Sequence, residues 1–455
     1  MSTADSGQRR NLVLLWASQF INTAGLMMLV PIMPFYVRGM GLTSTAEVQT
    51  WAGVAIAAPA LALTVATPLW GRLGDRVGRH WMVVRALLGL AASMLVMAVA
   101  GNPIALVLGR LLQGGLGGVV EAAQAFAGAA GSDGKRGSAL GKSFSATAAG
   151  SLIGPLAGGA LIGAGHLGSL MVVIAAVAVV LAGACALGLR DPSPSTRASA
   201  PDRAGAVAEG RPGFWQVPGA VPLAVAAVGA YLGVYGLIPV FADHVQQGFP
   251  PDRAGLWVGI FQSLTWGATL IASFWWGRHN DRYQRPARAL AIAGGVCALS
   301  IAAQALPLGV VGLIVLRVLQ GAGFAALAQS LFFHFSRHAP PERRSGYVGA
   351  ANSFLLIGQS AGPLLAGPMA LVLPTQGSIV LLGVACALAF LCSLHAARGE
   401  TRAVRAPEVP GHAAPHFSGD LDPPRERTMP IPLPSSARVD QHGGRWAGEV
   451  GRRSP

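Results

Sequence analysis

The chain has 455 residues, of which 52% are apolar, 11% charged and 7% aromatic, and its mean hydropathy is +0.51. Soluble domains carry about 25% charged residues, so this chain has too little charge to cover a water-soluble surface and reads as a polytopic membrane protein. The net charge of +14 does not argue for nucleic acid, because the basic residues are scattered through short hydrophilic loops and are not gathered on one face.

Apolar length and flanking charge predict twelve spans, near 12–36, 50–70, 81–100, 103–130, 139–164, 167–189, 218–244, 254–276, 287–306, 309–336, 346–372 and 377–396. Each has roughly the 20 residues needed to cross about 30 Å of hydrocarbon. The first span follows Arg9 and Arg10, but it contains Gln19, Asn22, Pro31 and Pro34 and lacks a small-residue cleavage pattern. It is therefore expected to be a retained helix and not a signal peptide. Cys185, Cys297, Cys386 and Cys392 fall singly inside apolar runs, without CxxC or metal-ligand spacing, and read as small core residues.

Orientation follows from basic residues counted by side. The N-tail, the loops after even-numbered spans and the C-tail hold 28 of the 33, against Arg38 and Arg253 on the other side. Both termini are thus expected in the cytoplasm.

The chain also repeats itself. Arg110, Gln113 and Gly114 reappear as Arg317, Gln320 and Gly321, and Gly150, Gly154 and Pro155 as Gly358, Gly362 and Pro363. Trp70-Gly71-Arg72 returns as Trp276-Gly277-Arg278, and Pro31 to Pro34 has a partial echo around Pro239. Landmarks in one order at one offset predict an all-α protein of two pseudo-symmetric six-helix bundles, 1–189 and 217–397. Between them lies a polar cytoplasmic linker, 190–216, and after them a disordered cytoplasmic tail, 398–455. Parallel repeats of this kind mark transporters that bind substrate at the repeat interface.

Two motifs carry a family likeness. Gly71, Gly74, Asp75, Arg76, Gly78 and Arg79 stand between spans two and three, and Gly150, Gly154, Pro155, Gly158 and Gly159 in span five. Together they resemble the signature loop and the antiporter motif of the major facilitator superfamily, in its twelve-span drug:proton antiporter branch. The opening stretch through Val37 resembles bacterial multidrug exporters related to the tetracycline pumps, and some members of the branch export siderophores instead. The likeness covers about residues 10–396 and implies the major facilitator fold in a bacterial cytoplasmic membrane.

It also implies a latch that closes the cytoplasmic face, in which Asp75 pairs with arginines or a neighbouring helix end and the acid Asp133, at the end of span four, is a further partner of the latch. Physically, a carboxylate among Arg72, Arg76 and Arg79 can make charge-assisted bonds that hold helix ends together. The second-half copy around Asp281 has lost its glycine pair. Gly150, Gly154 and Gly158, four residues apart, form a smooth stripe for close helix approach, and Pro155 can kink the helix.

Ionisable groups inside the membrane are functional candidates by default. Glu121 and Arg110 in span four are eleven residues apart, roughly the same face of a continuous helix and about 16 Å along its axis. Glu121 has Ala328 as its repeat partner, so the bundle does not require an acid there. Burial raises a carboxylate's affinity for protons, and Glu121, with Arg110 on its wall, is the expected proton-coupling group. Arg110 and Arg317 also fit as paired scaffolding of the two bundles.

The substrate cavity is expected among Gln19, Asn22, Gln113, Gln124, Tyr231, Tyr235, Gln262, Trp266, Gln329, Asn352 and Gln359, while Asp243 and His244 read as interfacial. Polar groups in hydrocarbon need partners, so each of these can equally be a helix-to-helix bond. Span one lacks the acid that related exporters of cationic drugs often carry. With two arginines against one acid, the cavity should favour neutral, zwitterionic or anionic substrates.

The expected activity is proton-coupled efflux of small organic molecules. The rival readings are a dedicated exporter of one endogenous metabolite, such as a siderophore, and a non-transporting receptor or scaffold. No metal site, cofactor, nucleotide loop or nucleophile elbow is visible, so an enzyme is not expected, and a monomer in the bilayer is the default partner state.

Overall fold

A chain surrounded by lipid must satisfy its backbone polar groups internally, and this one does so with helices. The computed structural model describes residues 3–120, 122–123, 136–162, 166–189, 214–340 and 344–405. Its first half contains α1 (Thr3–Leu29), α2 (Met33–Arg38), α3 (Thr45–Val77), α4 (Arg79–Ala98), α5 (Pro103–Leu116), α6 (Arg136–Ile162) and α7 (Leu167–Gly188). The second half contains α8 (Ala220–Gly248), α9 (Pro251–Tyr283), α10 (Pro286–Ala303), α11 (Gly309–His338), α12 (Arg344–Val372) and α13 (Thr375–Arg405). Eleven of these helices are long and apolar enough to cross a membrane, and α5 is a shorter apolar helix. Large apolar side chains such as Val180, Leu187 and Leu299 point outward, as a lipid-facing belt requires.

Helix ends follow local chemistry. The Asn102 side chain accepts from Ala105 N–H at 2.9 Å, and Pro103 opens α5 where no donor is needed. Pro31 lies in the break between α1 and α2 and Pro34 in the first turn of α2, whereas the echoing Pro239 lies inside an unbroken α8. The signature stretch expected as a loop is mostly helical: α3 runs to Val77 and the turn is Gly78 alone, at φ 111° and ψ 149°. Only glycine adopts that backbone without strain. Its repeat equivalent is Gln284, a left-handed residue at φ 52° between α9 and α10.

Span four departs from expectation. α5 stops at Leu116, where Gly117 leaves helical geometry and Gly118 takes φ 91°, before helical turns resume at Val119. The equivalent α11 is continuous. The same-face relation of Arg110 and Glu121 is reckoned on one unbroken helix, and Glu121 itself lies outside the described residues. Carbonyls freed by the break find donors: Trp70 Nε1 donates to Gly115 O at 2.6 Å, and Arg85 Nη2 to Gly117 O at 2.8 Å. Arg85 also lies over the Trp70 ring, 3.7 Å from its centroid.

Within the first half α1 packs on α6 and α7, α4 on α7, and α5 on α3 and α4; within the second, α8 packs on α12 and α13, α10 on α13, and α11 on α9 and α10. Three buried apolar clusters result, one in the second half and two largely in the first. The 3-10 turn Phe214–Gln216, assigned to the polar linker from sequence, instead docks on the second half, with Phe214 stacked on Phe335 at 4.5 Å. Residues up to Arg405 form one compact unit, and α13 continues past the expected end of the last span.

Candidate functional site

The glycine stripe is built as its spacing predicts. A Cβ on Gly150, Gly154 or Gly158 would strike the α1 backbone at Phe20, Ala24 and Met28, the last at 2.2 Å from Met28 O. The second half repeats this on α12, where Gly358 and Gly362 press on α8 at Val228 and Leu232, each with a carbonyl 2.4 Å from the added atom. Sequence reasoning did not find the other face of the motif. Gly159 lies against Gly255 and Gly259 of α9, and Gly367 against Thr50 of α3.

These contacts join the two halves through α3 on α12 and α6 on α9. They are reciprocal: a Cβ on Gly53 would sit 2.0 Å from Pro363 O, and one on Gly259 would sit 2.4 Å from Pro155 O. Ser263 Oγ adds a hydrogen bond to Leu152 O at 2.7 Å. These closest approaches lie toward the end of the molecule opposite the N-terminus, here called the far end. Toward the near end, the same helices present exposed Leu61, Val65 and Leu69 on α3 and Ile271 and Trp275 on α9.

At the far end a polar cluster also bridges the halves. Arg38 of α2 pairs with Asp243 Oδ1 at 3.5 Å and donates to Gln246. Asp243 Oδ2 accepts from Thr375 Oγ1 at 2.7 Å and from Gln247 Nε2 at 2.9 Å. Asp243, expected to be interfacial, is buried at 5% exposure. Its sequence signal was a lone acid one residue before the expected end of a span, with Arg38 one of only two basic residues on the same side.

The repeated arginines are buried and bound alike. Arg110 Nη1 donates to Gln113 Oε1 at 2.6 Å, and Arg317 Nη1 to Gln320 Oε1 at 3.0 Å. Arg110 Nε also donates to Ala55 O at 2.8 Å. Arg317 lies over Phe241, 3.6 Å from its centroid. A cavity beside Arg317 is lined by Val234, Tyr235, Ile238, Gln262, Thr265, Trp266, Gln320 and Phe324. It brings together three residues expected in the substrate cavity, Tyr235, Gln262 and Trp266, and Tyr231 stacks on Tyr235 at 5.5 Å behind them.

Other candidates lie elsewhere. Gln113 is held by Arg110, Gln19 donates to Leu15 O within α1, and Asn22 is half-buried. Asn352 is exposed and Gln359 half-buried, and neither lines this cavity. Of the latch, Arg76 is exposed and Gly78 forms the turn; the side chains of Asp75 and Arg79 and the whole of Asp133 lie outside the described residues, as do Glu121 and Gln124. In the second-half copy Asn280, in place of Gly74, is buried and donates to Ser330 Oγ at 3.1 Å. The four cysteines are free, three buried and Cys392 partly so, and no cluster able to hold a metal ion exists among the described residues.

Comparison with known proteins settles the family. The family description Major Facilitator Superfamily matches residues 15–311 and 263–425. The chain belongs to the major facilitator superfamily. The Staphyloferrin B transporter of Staphylococcus aureus is 34% identical over 387 residues, which is 84% of this chain and 92% of that one. The Multidrug resistance protein MdtG of Salmonella paratyphi C is 38% identical over 160 residues, 35% of this chain and 39% of its own length. Among solved structures, a bacterial homolog to the human lysosomal transporter Spinster, inward-facing and unoccupied, superposes with a TM-score of 0.69 over 88% of this chain and 99% of that one, at 17% identity. That likeness shows the fold. As a major facilitator protein the chain is a multi-pass membrane transporter and not an enzyme.

Proposed function

We propose that this major facilitator protein exports small organic molecules across the bacterial cytoplasmic membrane in exchange for protons. It works by alternating access between bundles 1–189 and 217–397, with 190–216 as the connection. The reading is carried by the paired seam at the far end, where Gly53 meets Pro363 and Gly259 meets Pro155 with no side chain between them. Such a joint lets two rigid bodies close tightly and part again without repacking. With both termini cytoplasmic, the far end is the outer one, and the described state is shut outward and open inward. The latch of Gly71, Asp75, Arg76, Gly78, Arg79 and Asp133 would close the opposite face in the other state. Glu121 would load and release the proton.

Within efflux, a dedicated exporter of one endogenous metabolite such as a siderophore is favoured over a broad drug pump by one observation. The relative named for staphyloferrin B aligns along 84% of the chain, and the multidrug relative along 35%.

The test is proton movement in proteoliposomes, followed with a pH-sensitive dye while drugs and hydroxamate siderophores are added. Substrate-driven proton flux that disappears in Glu121→Gln, with folding intact, is the expected result. Flux retained in that variant removes Glu121 as the coupling group, and no flux with any candidate removes the antiport reading.

A further inference from the structure

The repeat supplies an internal control for its two buried arginines. Both donate Nη1 to the glutamine three residues on, Gln113 or Gln320. In the first half the remaining edge is closed, because Arg110 Nε donates to the Ala55 carbonyl. In the second half no equivalent carbonyl arrives, and Arg317 Nε is buried without an acceptor although Arg317 is only 2% exposed. An uncompensated guanidinium in a membrane interior is costly and marks a functional site. Phe241 covers one face of the guanidinium.

Arg317 is one of the residues lining the cavity, a small one whose roughly 310 Å³ of empty space includes a part open to solvent. A second donor there is also unsatisfied, since Trp266 Nε1 is buried without an acceptor. Trp70 and Trp276, by contrast, both donate to carbonyls. Tyr235, Phe324, Val234 and Ile238 give the rest of the lining an aromatic and apolar part, beside the polar Gln262, Thr265 and Gln320, and Phe324 meets Trp266 edge-on at 5.8 Å. Two unsatisfied N–H donors, one of them cationic, beside an aromatic wall are complementary to a planar anion on an apolar body.

We infer that the second half holds an organic-anion subsite, in which Arg317 Nε and Trp266 Nε1 take the carboxylate of an aromatic or otherwise flat ligand. A carboxylate accepts from both donors at once, and its charge supplies the counter-ion that the fold omits. The inference names the substrate class for the cavity of the exporter proposed above and rests on that reading for its role in transport.

The test is equilibrium binding to the purified full chain in detergent, with 2-naphthoate and its neutral counterpart 2-naphthamide as probes. The wild type is expected to bind naphthoate at least ten-fold more tightly. Arg317→Gln should abolish the preference, and Arg317→Lys, which keeps the charge but loses the Nε donor, should remove most of it. Trp266→Phe, which keeps the ring and loses the N–H, should weaken naphthoate several-fold and leave naphthamide unchanged. Should Arg317→Gln fail to fold, the lysine and phenylalanine variants decide. Equal affinities in the wild type, no binding of naphthoate, or a preference that survives these variants overturns the inference. Binding needs no gradient, so a carboxylate preference without transport keeps the subsite and removes the exporter, whereas proton-coupled transport without the preference does the reverse.

Discussion

Adding one methyl group at the seam is expected to shift the conformational balance of the protein. In Gly53→Ala the new Cβ would stand 2.0 Å from Pro363 O, and ordinary contact begins at 3.4 Å, so the helices must part by about 1.4 Å. The opposing Pro363 oxygen is backbone, which no rotamer change can move aside. Overpacking of this kind costs about 1–3 kcal/mol, and since the proposed alternating access separates the helices at this seam, that cost becomes a shift of about 5–150-fold toward the state open at the far end. Gly259→Ala meets Pro155 O at 2.4 Å and should act in the same direction, somewhat less strongly. The assay is a spin-label distance between Thr43→Cys and Gln376→Cys, both exposed at the far end on opposite halves, in a background without the four native cysteines. The distance distribution should gain a longer component in both variants. An unchanged distribution in folded Gly53→Ala would refute the claim that the two halves part at this seam.

Other outcomes follow from single contacts. Asp243→Asn removes the charge partner of Arg38 and should raise the long-distance fraction in the same assay a few-fold; no change would make the cluster incidental to closure. Gly78→Ala forces a side chain into φ 111° and should lower thermal stability in detergent by about 1–3 kcal/mol. Gln284→Gly relieves the equivalent turn and should raise stability by about 1 kcal/mol. Trp70→Phe strips a donor from the broken end of α5 and should cost about 1–2 kcal/mol, while Trp276→Phe costs less because the Ala322 carbonyl sits in a continuous helix; equal losses in thermal melts would contradict this.

The spans and the repeat were legible because apolar length and a fixed offset are one-dimensional signals. So was the stripe of Gly150, Gly154 and Gly158, whose spacing places all three on one face. The interruption after Leu116 was hidden, because Gly117 and Gly118 sit in a run of small and apolar residues that is equally compatible with a helix. What holds it open is tertiary: Trp70 and Arg85 arrive from α3 and α4 to take the freed carbonyls. Asp243 looked interfacial because its partners Arg38 and Thr375 are more than 100 residues away in sequence. The two arginines were found, but their inequality was not, since it depends on whether a distant backbone carbonyl reaches Nε.

The seam of Gly53, Gly159, Gly259 and Gly367 also bears on how this protein can vary. Where the joint is bare backbone, as at Gly53 and Gly259, there is no side-chain pair to keep matched, so one half can change the cavity it carries without a compensating change at these positions in the other. The two halves are therefore free to diverge in chemistry, as Arg110 and Arg317 already have, while still fitting together as the same mechanical pair.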